Sequence, residues 1–97
     1  MAKKINASFS ASLSKNNVKG GAWMASYTVA HESVDGFMPV KTDHSAWTSA
    51  AAAKRWVKDM VKANTTKKSI KLLPGDEKDA KGKPVWFAGS LSFKQEL

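Results

Sequence analysis

Cysteine is absent from this 97-residue sequence, and arginine occurs once, histidine twice and proline three times. Secreted domains of this size often depend on disulfides, so the lack of cysteine leads us to expect a reducing, cytoplasmic location. No apolar run approaches the ~20 residues that span a membrane. After Lys3 and Lys4 a polar residue interrupts at every second position, so we interpret the N-terminus as mature chain and not as a signal peptide.

Acidic residues are also scarce. Eight aspartates and glutamates stand against 16 lysines and arginines, which gives a formal net charge of +8. A basic balance of this size favours a polyanionic partner, such as nucleic acid, an anionic membrane surface or an acidic protein. The length predicts a single domain, residues 1–97, with one modest core.

Alternation of apolar and polar residues predicts most of the strands. In INASFSASLS, residues 5–14, every second residue is apolar, which is typical of a strand with one buried face. Asp35-Gly36 indicates a hairpin turn, and Pro39, which has no N–H to donate, places the third strand at a sheet edge. The predicted strands are residues 5–14, 22–31, 37–41, 69–73 and 85–93, with loops at 15–21 and 74–84.

Residues 49–63 are the single predicted helix, which Thr48 or Ser45 could cap. Apolar residues recur at helical spacing and predict its buried face: Ala50, Ala53, Trp56, Val57, Met60 and Val61. The order β-β-β-α-β-β predicts an α+β fold, a mostly antiparallel sheet of about five strands with one amphipathic helix on one face. Because the core needs the apolar face of the helix, we expect no membrane partner.

Small polar residues fill the predicted sheet face that points away from the helix. This face is either simply solvated, as the open face of an antiparallel sheet normally is, or approached closely by a partner or a second copy of the chain. Long charged side chains would obstruct such an approach, and Trp86 could anchor it. The candidate partner-binding residues are Trp86, Ser8, Ser10, Ser90 and Ser92, and a homodimer through this face is one hypothesis.

Residues that could carry catalysis or hold a cofactor are few. DHS, residues 43–45, joins three neighbours, whereas a catalytic triad is assembled from separated positions, so we interpret it as a polar link before the helix. Gly20-Gly21 precedes a strand, while phosphate-binding loops open a helix. DEKD, residues 76–79, lacks the spacing of a calcium loop. We therefore expect no enzymatic activity, no cofactor and no metal site.

Basic residues concentrate between positions 54 and 71, where seven of them stand against one acidic residue, Asp59. They are Lys54, Arg55, Lys58, Lys62, Lys67, Lys68 and Lys71. A stripe of this kind can follow phosphates, each contact releasing counterions, although a solvated helix face is also normally charged. With one arginine, bidentate reading of guanine would be scant, so we expect sequence-independent binding to a DNA or RNA backbone.

HSAWTSAAAAKRWVKDMVKA, together with the hairpin before it and KKSIKLL after it, resembles small orphan proteins of actinobacterial phages. The resemblance covers about the middle third of the chain and rests on the AAAAKRWVK helix. It implies a virus-encoded accessory protein in the host cytoplasm, without an assigned activity or functional residue. The hairpins followed by a helix also look like arm-type DNA-binding domains of integrases, but these sheet faces lack their row of arginine, lysine and aromatic residues.

The sequence therefore predicts a small basic protein that binds a partner and catalyses nothing. The first hypothesis is sequence-independent nucleic-acid binding through the basic helix face and the lysines after it. The alternative is a protein-interaction module, of the kind a phage could use to modulate a host protein or bind an acidic one, which would use the serine-rich face, Trp86 or a strand edge.

Overall fold

A computed structural model describes residues 4–15 and 22–96. It contains, in chain order, β1 (Lys4–Lys15), β2 (Trp23–Ser33), β3 (Gly36–Trp47), α1 (Ala50–Asn64), β4 (Leu73–Pro74) and β5 (Trp86–Glu96). This is the predicted order, and the α+β prediction is confirmed. In the loop predicted at residues 15–21, Lys15 belongs to β1, and residues 16–21 lie outside the described residues.

The strands form one antiparallel sheet in the order β3-β2-β1-β5-β4. Strand β1 lies between the two long strands β2 and β5. Its alternating residues therefore indicate which face of the sheet is buried and which is exposed. Its odd-numbered residues, Ala7, Phe9, Ala11 and Leu13, are buried, while Ser10, Ser12 and Ser14 between them are exposed. This alternation follows from the two-residue period of a strand whose one face is covered by a helix.

The helix α1 covers the buried face, as its apolar spacing predicts. Ala53, Val57 and Val61 are fully buried, and Ala50, Trp56 and Met60 pack against the core. An aromatic stack forms the centre: the ring of Phe9 lies 5.1 Å from that of Tyr27, and Tyr27 lies 5.5 Å from Trp56. Such aromatic pairs add about 0.5–1.5 kcal/mol each to the burial of their area.

The cap of α1 differs from the prediction. Neither Thr48 nor Ser45 caps the helix; Ser49 does, since its Oγ accepts a hydrogen bond from the N–H of Ala52 at 3.2 Å. Ser45 instead lies within β3, opposite Ala25. The sequence offers three hydroxyl residues in five positions, and only the length of the preceding strand decides which one meets the first turn.

Strand β3 is much longer than predicted, with 12 residues instead of five. The polar residues Asp43, His44 and Ser45 are therefore strand residues, and their interpretation as a link is wrong. They pair with β2 although most of β3 is exposed, because pairing along a long neighbour stabilises residues whose own pattern is not strand-like. The prediction that Pro39 marks an edge strand is confirmed.

The chain between α1 and β4, residues 65–72, crosses the helix-covered face of the sheet and is called here the crossing segment. Ile70 and Leu72 pack against the core, so only Leu73 of the strand predicted at 69–73 pairs with β5. A Cβ at Gly89 would overlap the carbonyl oxygen of Lys71, so glycine is required for this close approach. The β1–β5 register is regular at Gly89, so this glycine does not form a β-bulge. Its missing side chain leaves space for the backbone of the crossing segment.

Candidate nucleic-acid interface

A groove runs between α1 and the crossing segment and has a volume of about 330 Å³. Lys54 and Lys58 line it from the helix, and Ser69, Ile70 and Leu72 line it from the crossing segment. We call it the basic groove. It exists because the apolar side chains of both elements are turned down onto the sheet, which leaves the lysines of the helix along its upper wall.

Lys54 has a second contact, which it makes with the sheet. Its Nζ lies 3.8 Å from the centroid of the Phe87 ring, which is cation–π geometry. Phe87 belongs to β5 and packs against the core near Trp23, with ring centroids 6.0 Å apart. The helix side of the groove is therefore fixed to the sheet by a basic side chain, and Lys54 has a structural role that Lys58 lacks.

The seven predicted basic residues all lie on exposed positions of α1 or of the crossing segment. Two of them, Lys54 and Lys58, face the groove. Lys62 lies in the last turn of the helix, where a cation interacts favourably with the helix dipole. Lys67 lines a second recess, of about 330 Å³, together with Thr66 and Lys94. The fold therefore brings the lysines of α1 and of the crossing segment onto one side of the molecule. Arg55, Lys68 and Lys71 line neither of these two cavities.

No acidic side chain of the described ranges lies within 4.0 Å of a basic nitrogen of these seven residues. The ion pair found within the described ranges joins Lys15 and Asp79, at 3.9 Å, and involves none of the seven basic residues. Asp59 is the one acidic residue of α1, and it is exposed. Unpaired surface cations remain available to a polyanion, because no internal carboxylate competes for them.

Two lysines that the sequence analysis missed lie at the end of the sheet, beside Thr66 of the crossing segment. Lys4 and Lys94 line a recess of about 410 Å³ with Thr66, and the Lys94 ammonium is hydrogen-bonded to the Asn6 side chain. They are 90 residues apart in sequence and meet because β1 pairs with β5, with Lys4 opposite Glu96 and Asn6 opposite Lys94. Only strand pairing could have identified them, since neither belongs to a local run of charge.

The predicted partner-binding residues share the opposite side of the sheet. Ser8 pairs with Ser92, Ser10 with Ser90 and Ser14 with Trp86. With β2 and β3 they form what we call the open face: Ser8, Ser10, Ser12, Ser14, Met24, Ser26, Thr28, Ala30, Thr42, His44, Ala46, Trp86, Ala88, Ser90 and Ser92, with Phe37, Glu32, Asn6 and Lys94 as the row at one end. Trp86 is 39% exposed, and its ring lies over Gly75, the residue that follows β4.

Hydroxyl groups on the open face lie beside one another across the strands. The Oγ atoms of Ser12 and Ser26 are 3.4 Å apart, and those of Thr28 and Thr42 are 3.5 Å apart. These are long contacts that leave most of the hydrogen-bonding capacity for water or a partner. A shallow recess of about 150 Å³ lies between Ser10, Ser12, Ser26 and Thr28.

Asp79 organises the loop before β5. Its Oδ1 accepts the backbone N–H groups of Lys83, at 3.0 Å, and Lys81, at 2.8 Å. These hydrogen bonds, the one from Lys83 foremost, hold the pKa of the Asp79 carboxyl below its ordinary value, although partial desolvation opposes them. The role of Asp79 is structural: it closes the turn around Gly82, whose φ is +78°.

Histidine and acidic side chains do not converge on a metal. Within residues 4–15 and 22–96, no group of three or more His, Cys, Asp or Glu side chains is arranged to hold an ion. His44 lies on the open face opposite Ser26, and the Asp43 carboxylate accepts the backbone N–H of His44. In the same ranges α1 is the sole helix, and it is neither long nor apolar enough to cross a membrane.

Comparison of the chain with models of known protein families, with curated proteins and with solved structures finds no match. The resemblance to phage proteins and the two functional hypotheses therefore stay predictions.

Proposed function

We propose that this protein binds nucleic acid through the phosphate backbone, independently of base sequence, with the basic groove at the centre of the interface. The observation that supports the proposal is that Lys54 and Lys58 line one groove with the crossing segment, and that no acidic side chain is among its lining residues within the described part of the chain. Phosphates placed along this groove would meet Lys54 and Lys58 on the helix side, while Lys67, Lys68 and Lys71 lie on the crossing segment outside the groove.

Sequence-independent binding follows from the kind of cation present. Lysine is a flexible point charge, whereas reading a guanine edge favours the planar fork of arginine. Arg55 is the single arginine, on an exposed position of α1. Contacts of this kind position a backbone and carry no base information.

The test is a salt titration of binding to a random DNA duplex and to an RNA duplex, followed by tryptophan fluorescence. We expect tight binding at low salt and a linear fall of log K with log salt, by about 0.9 per phosphate contact on B-DNA. The double variant K58E/K68E should bind more weakly at low salt and lower the slope by about one for each contacting lysine.

The matched control is K78E/K81E, which changes the net charge equally on exposed positions of the loop before β5 that do not line the groove. If both double variants lose affinity to the same degree, net charge and not the groove drives binding. If the wild-type protein binds neither duplex at low salt, the proposal fails.

A protein-interaction module remains the second candidate, and exposed apolar side chains favour it. Val34 is fully exposed at the turn of the β2–β3 hairpin, and Phe37, Met38 and Val40 beyond it are each more than half exposed. Side chains of this size rarely cluster on a surface without a partner. Phe37→Ser should reduce binding to such a partner and leave the salt-dependent binding of duplexes unchanged.

A further inference from the structure

Strand β5 has a neighbouring strand along the whole of one side and along only a short part of the other. Its inner side pairs with β1 over all of Trp86–Glu96. Its outer side pairs with β4 at Phe87 and Ala88. The crossing segment, which precedes β4, lies above the sheet, with the carbonyl oxygen of Lys71 over Gly89 on the helix-covered face. Among the described strands none pairs with the outer side of residues 90–96, which we call the free edge.

The backbone groups along the free edge point away from the sheet. Successive residues of an antiparallel strand direct their N–H and C=O groups to opposite neighbours. The carbonyl of Trp86 accepts the N–H of Gly75 on the outer side, so even-numbered residues of β5 point outward. The carbonyl of Val85 accepts the N–H of Lys15 on β1, which agrees with this alternation. Within the described part of the chain, no hydrogen-bond partner is found for the backbone N–H and C=O groups of Ser90, Ser92 and Lys94.

Two recesses lie beside the free edge and give it a positive surrounding. Their volumes are about 330 and about 410 Å³, and both are lined by Thr66 and Lys94. Lys67 lines the smaller recess and Lys4 the larger one. Three lysines thus stand against one acidic residue, Glu96, among the residues that line the two recesses. The recesses leave room for side chains beside the edge, and their charge favours carboxylates.

We propose that the free edge binds an acidic, extended peptide of a partner protein as an added strand. Strand addition of this kind takes its affinity from main-chain hydrogen bonds and its selectivity from pockets for alternate side chains. The outward N–H and C=O groups supply the hydrogen bonds, and the lysines of the two recesses select carboxylates. The proposal does not depend on the nucleic-acid interface, because Lys54 and Lys58 line a separate groove.

Charge favours an acidic peptide over a second copy of β5. Pairing the free edge with itself over its full length would centre the two-fold axis on Phe93. The Lys94 side chains of both copies would then lie on the same face as diagonal neighbours across the two strands, where like charges repel. Lysine on a strand edge is also a common device against self-association. A strand that carries glutamate or aspartate turns this repulsion into attraction.

The first test measures peptide binding by fluorescence anisotropy. The free edge is about 23 Å long, which corresponds to a peptide of about seven residues. The probe is a fluorescein-labelled seven-residue peptide in which glutamate alternates with valine. We expect saturable binding of this peptide to the wild-type protein, and binding about tenfold weaker or more when lysine replaces glutamate. A wild type that does not bind the glutamate peptide at millimolar concentration overturns the proposal.

Backbone methylation of the probe distinguishes strand addition from simple attraction of charges. One peptide carries N-methyl groups on its glutamates and another carries them on its valines, so only one of the two has them on the side that faces β5. The peptide methylated on that side should bind about tenfold more weakly, because its donors are lost, and the other should bind as the parent does. Equal binding of all three peptides would overturn the proposal.

Ser92→Pro removes an outward N–H of β5 and leaves the hydrogen bonds to β1 in place, since proline is tolerated where the N–H faces away from the ladder. It should weaken binding of the glutamate peptide about tenfold and leave duplex binding unchanged. Ser92→Ala is the matched control, because it keeps the N–H, and it should bind the peptide as the wild type does. Equal affinities of the two variants would contradict pairing along this edge.

Hydrogen exchange of the wild-type protein tests the proposal without any substitution. The amide protons of Ser90, Ser92 and Lys94 should exchange fast in the free protein and slowly in the peptide complex, because only the added strand protects them. Those of Leu91 and Phe93 point toward β1 and should be slow in both states. If the peptide leaves the three outward amides fast and a DNA duplex protects them, the edge belongs to the nucleic-acid interface and the proposal is wrong.

Discussion

Gly89 and the carbonyl oxygen of Lys71 lie so close that a Cβ on residue 89 would overlap that oxygen. Gly89 is on β5 opposite Ala11, on the buried face, and Lys71 belongs to the crossing segment. The position of one wall of the basic groove thus depends on a missing side chain on the sheet.

Gly89→Ala should destabilise the protein by about 1–3 kcal/mol, because the added methyl forces the crossing segment away from the sheet. Urea unfolding would measure the change. Ser90→Ala on the neighbouring exposed position should stay within about 0.5 kcal/mol. A stabilised Gly89→Ala, as strand propensity alone would predict, would contradict the close approach.

Substitutions of Lys54 and Lys58 should separate effects on the unfolding free energy from effects on affinity for duplexes. Lys54→Met removes the cation–π contact with Phe87 and should cost about 0.5–1 kcal/mol of unfolding free energy, together with affinity for duplexes. Lys58→Met should reduce affinity and leave the unfolding free energy unchanged, since no ring or carboxylate contacts it among the described residues. Equal stabilities of the two variants would argue against the Phe87 contact.

Ser49→Ala should destabilise α1 by about 1 kcal/mol, because the N–H of Ala52 loses its acceptor. Thermal unfolding followed by far-ultraviolet circular dichroism is a suitable measurement. Thr48→Ala provides the comparison, and its effect should be below about 0.5 kcal/mol. The reverse order of the two effects would move the cap back to Thr48.

Tyr27→Phe should stabilise the protein by about 1 kcal/mol. The Tyr27 hydroxyl is buried and has no hydrogen-bond partner among the described residues, while its ring stacks on Phe9 and contacts Trp56. Removing an unsatisfied buried hydroxyl removes its desolvation cost and leaves the ring contacts in place. Chemical unfolding of both proteins measures the difference, and a destabilised variant would show that the hydroxyl has a partner.

Asp79→Asn should make stability less dependent on pH in the acidic range. The folded-state pKa of Asp79 is lowered, so its contribution is fully present above the unfolded-state pKa, near 4, and is lost as the pH falls through the lower folded-state value. Unfolding curves should therefore show the wild type more stable than Asp79→Asn at neutral pH, with the two converging as the pH falls through the lowered folded-state pKa. Parallel pH profiles would mean that the carboxylate charge has no role in the loop.

The sequence predicted the basic residues but not the cavity that they line. Periodicity identified Lys54 and Lys58 on the polar side of α1, because helical spacing is a local property. It could not show that Ile70 and Leu72 fold back onto the core and close a groove beside them, since that depends on packing across the sheet. Lys4 and Lys94 were out of reach for the same reason.

The amino-acid sequence by itself determined the order of the elements, the buried face of α1 and the uncharged serine face. Each of these follows from a two-residue or 3.6-residue period that any short window displays. Tertiary structure alone decided the length of β3, the choice of Ser49 as cap, the crossing segment over Gly89 and the grouping of the lysines around one groove. These features depend on contacts between residues distant in sequence, and strand pairing and close packing determine them without any local signal.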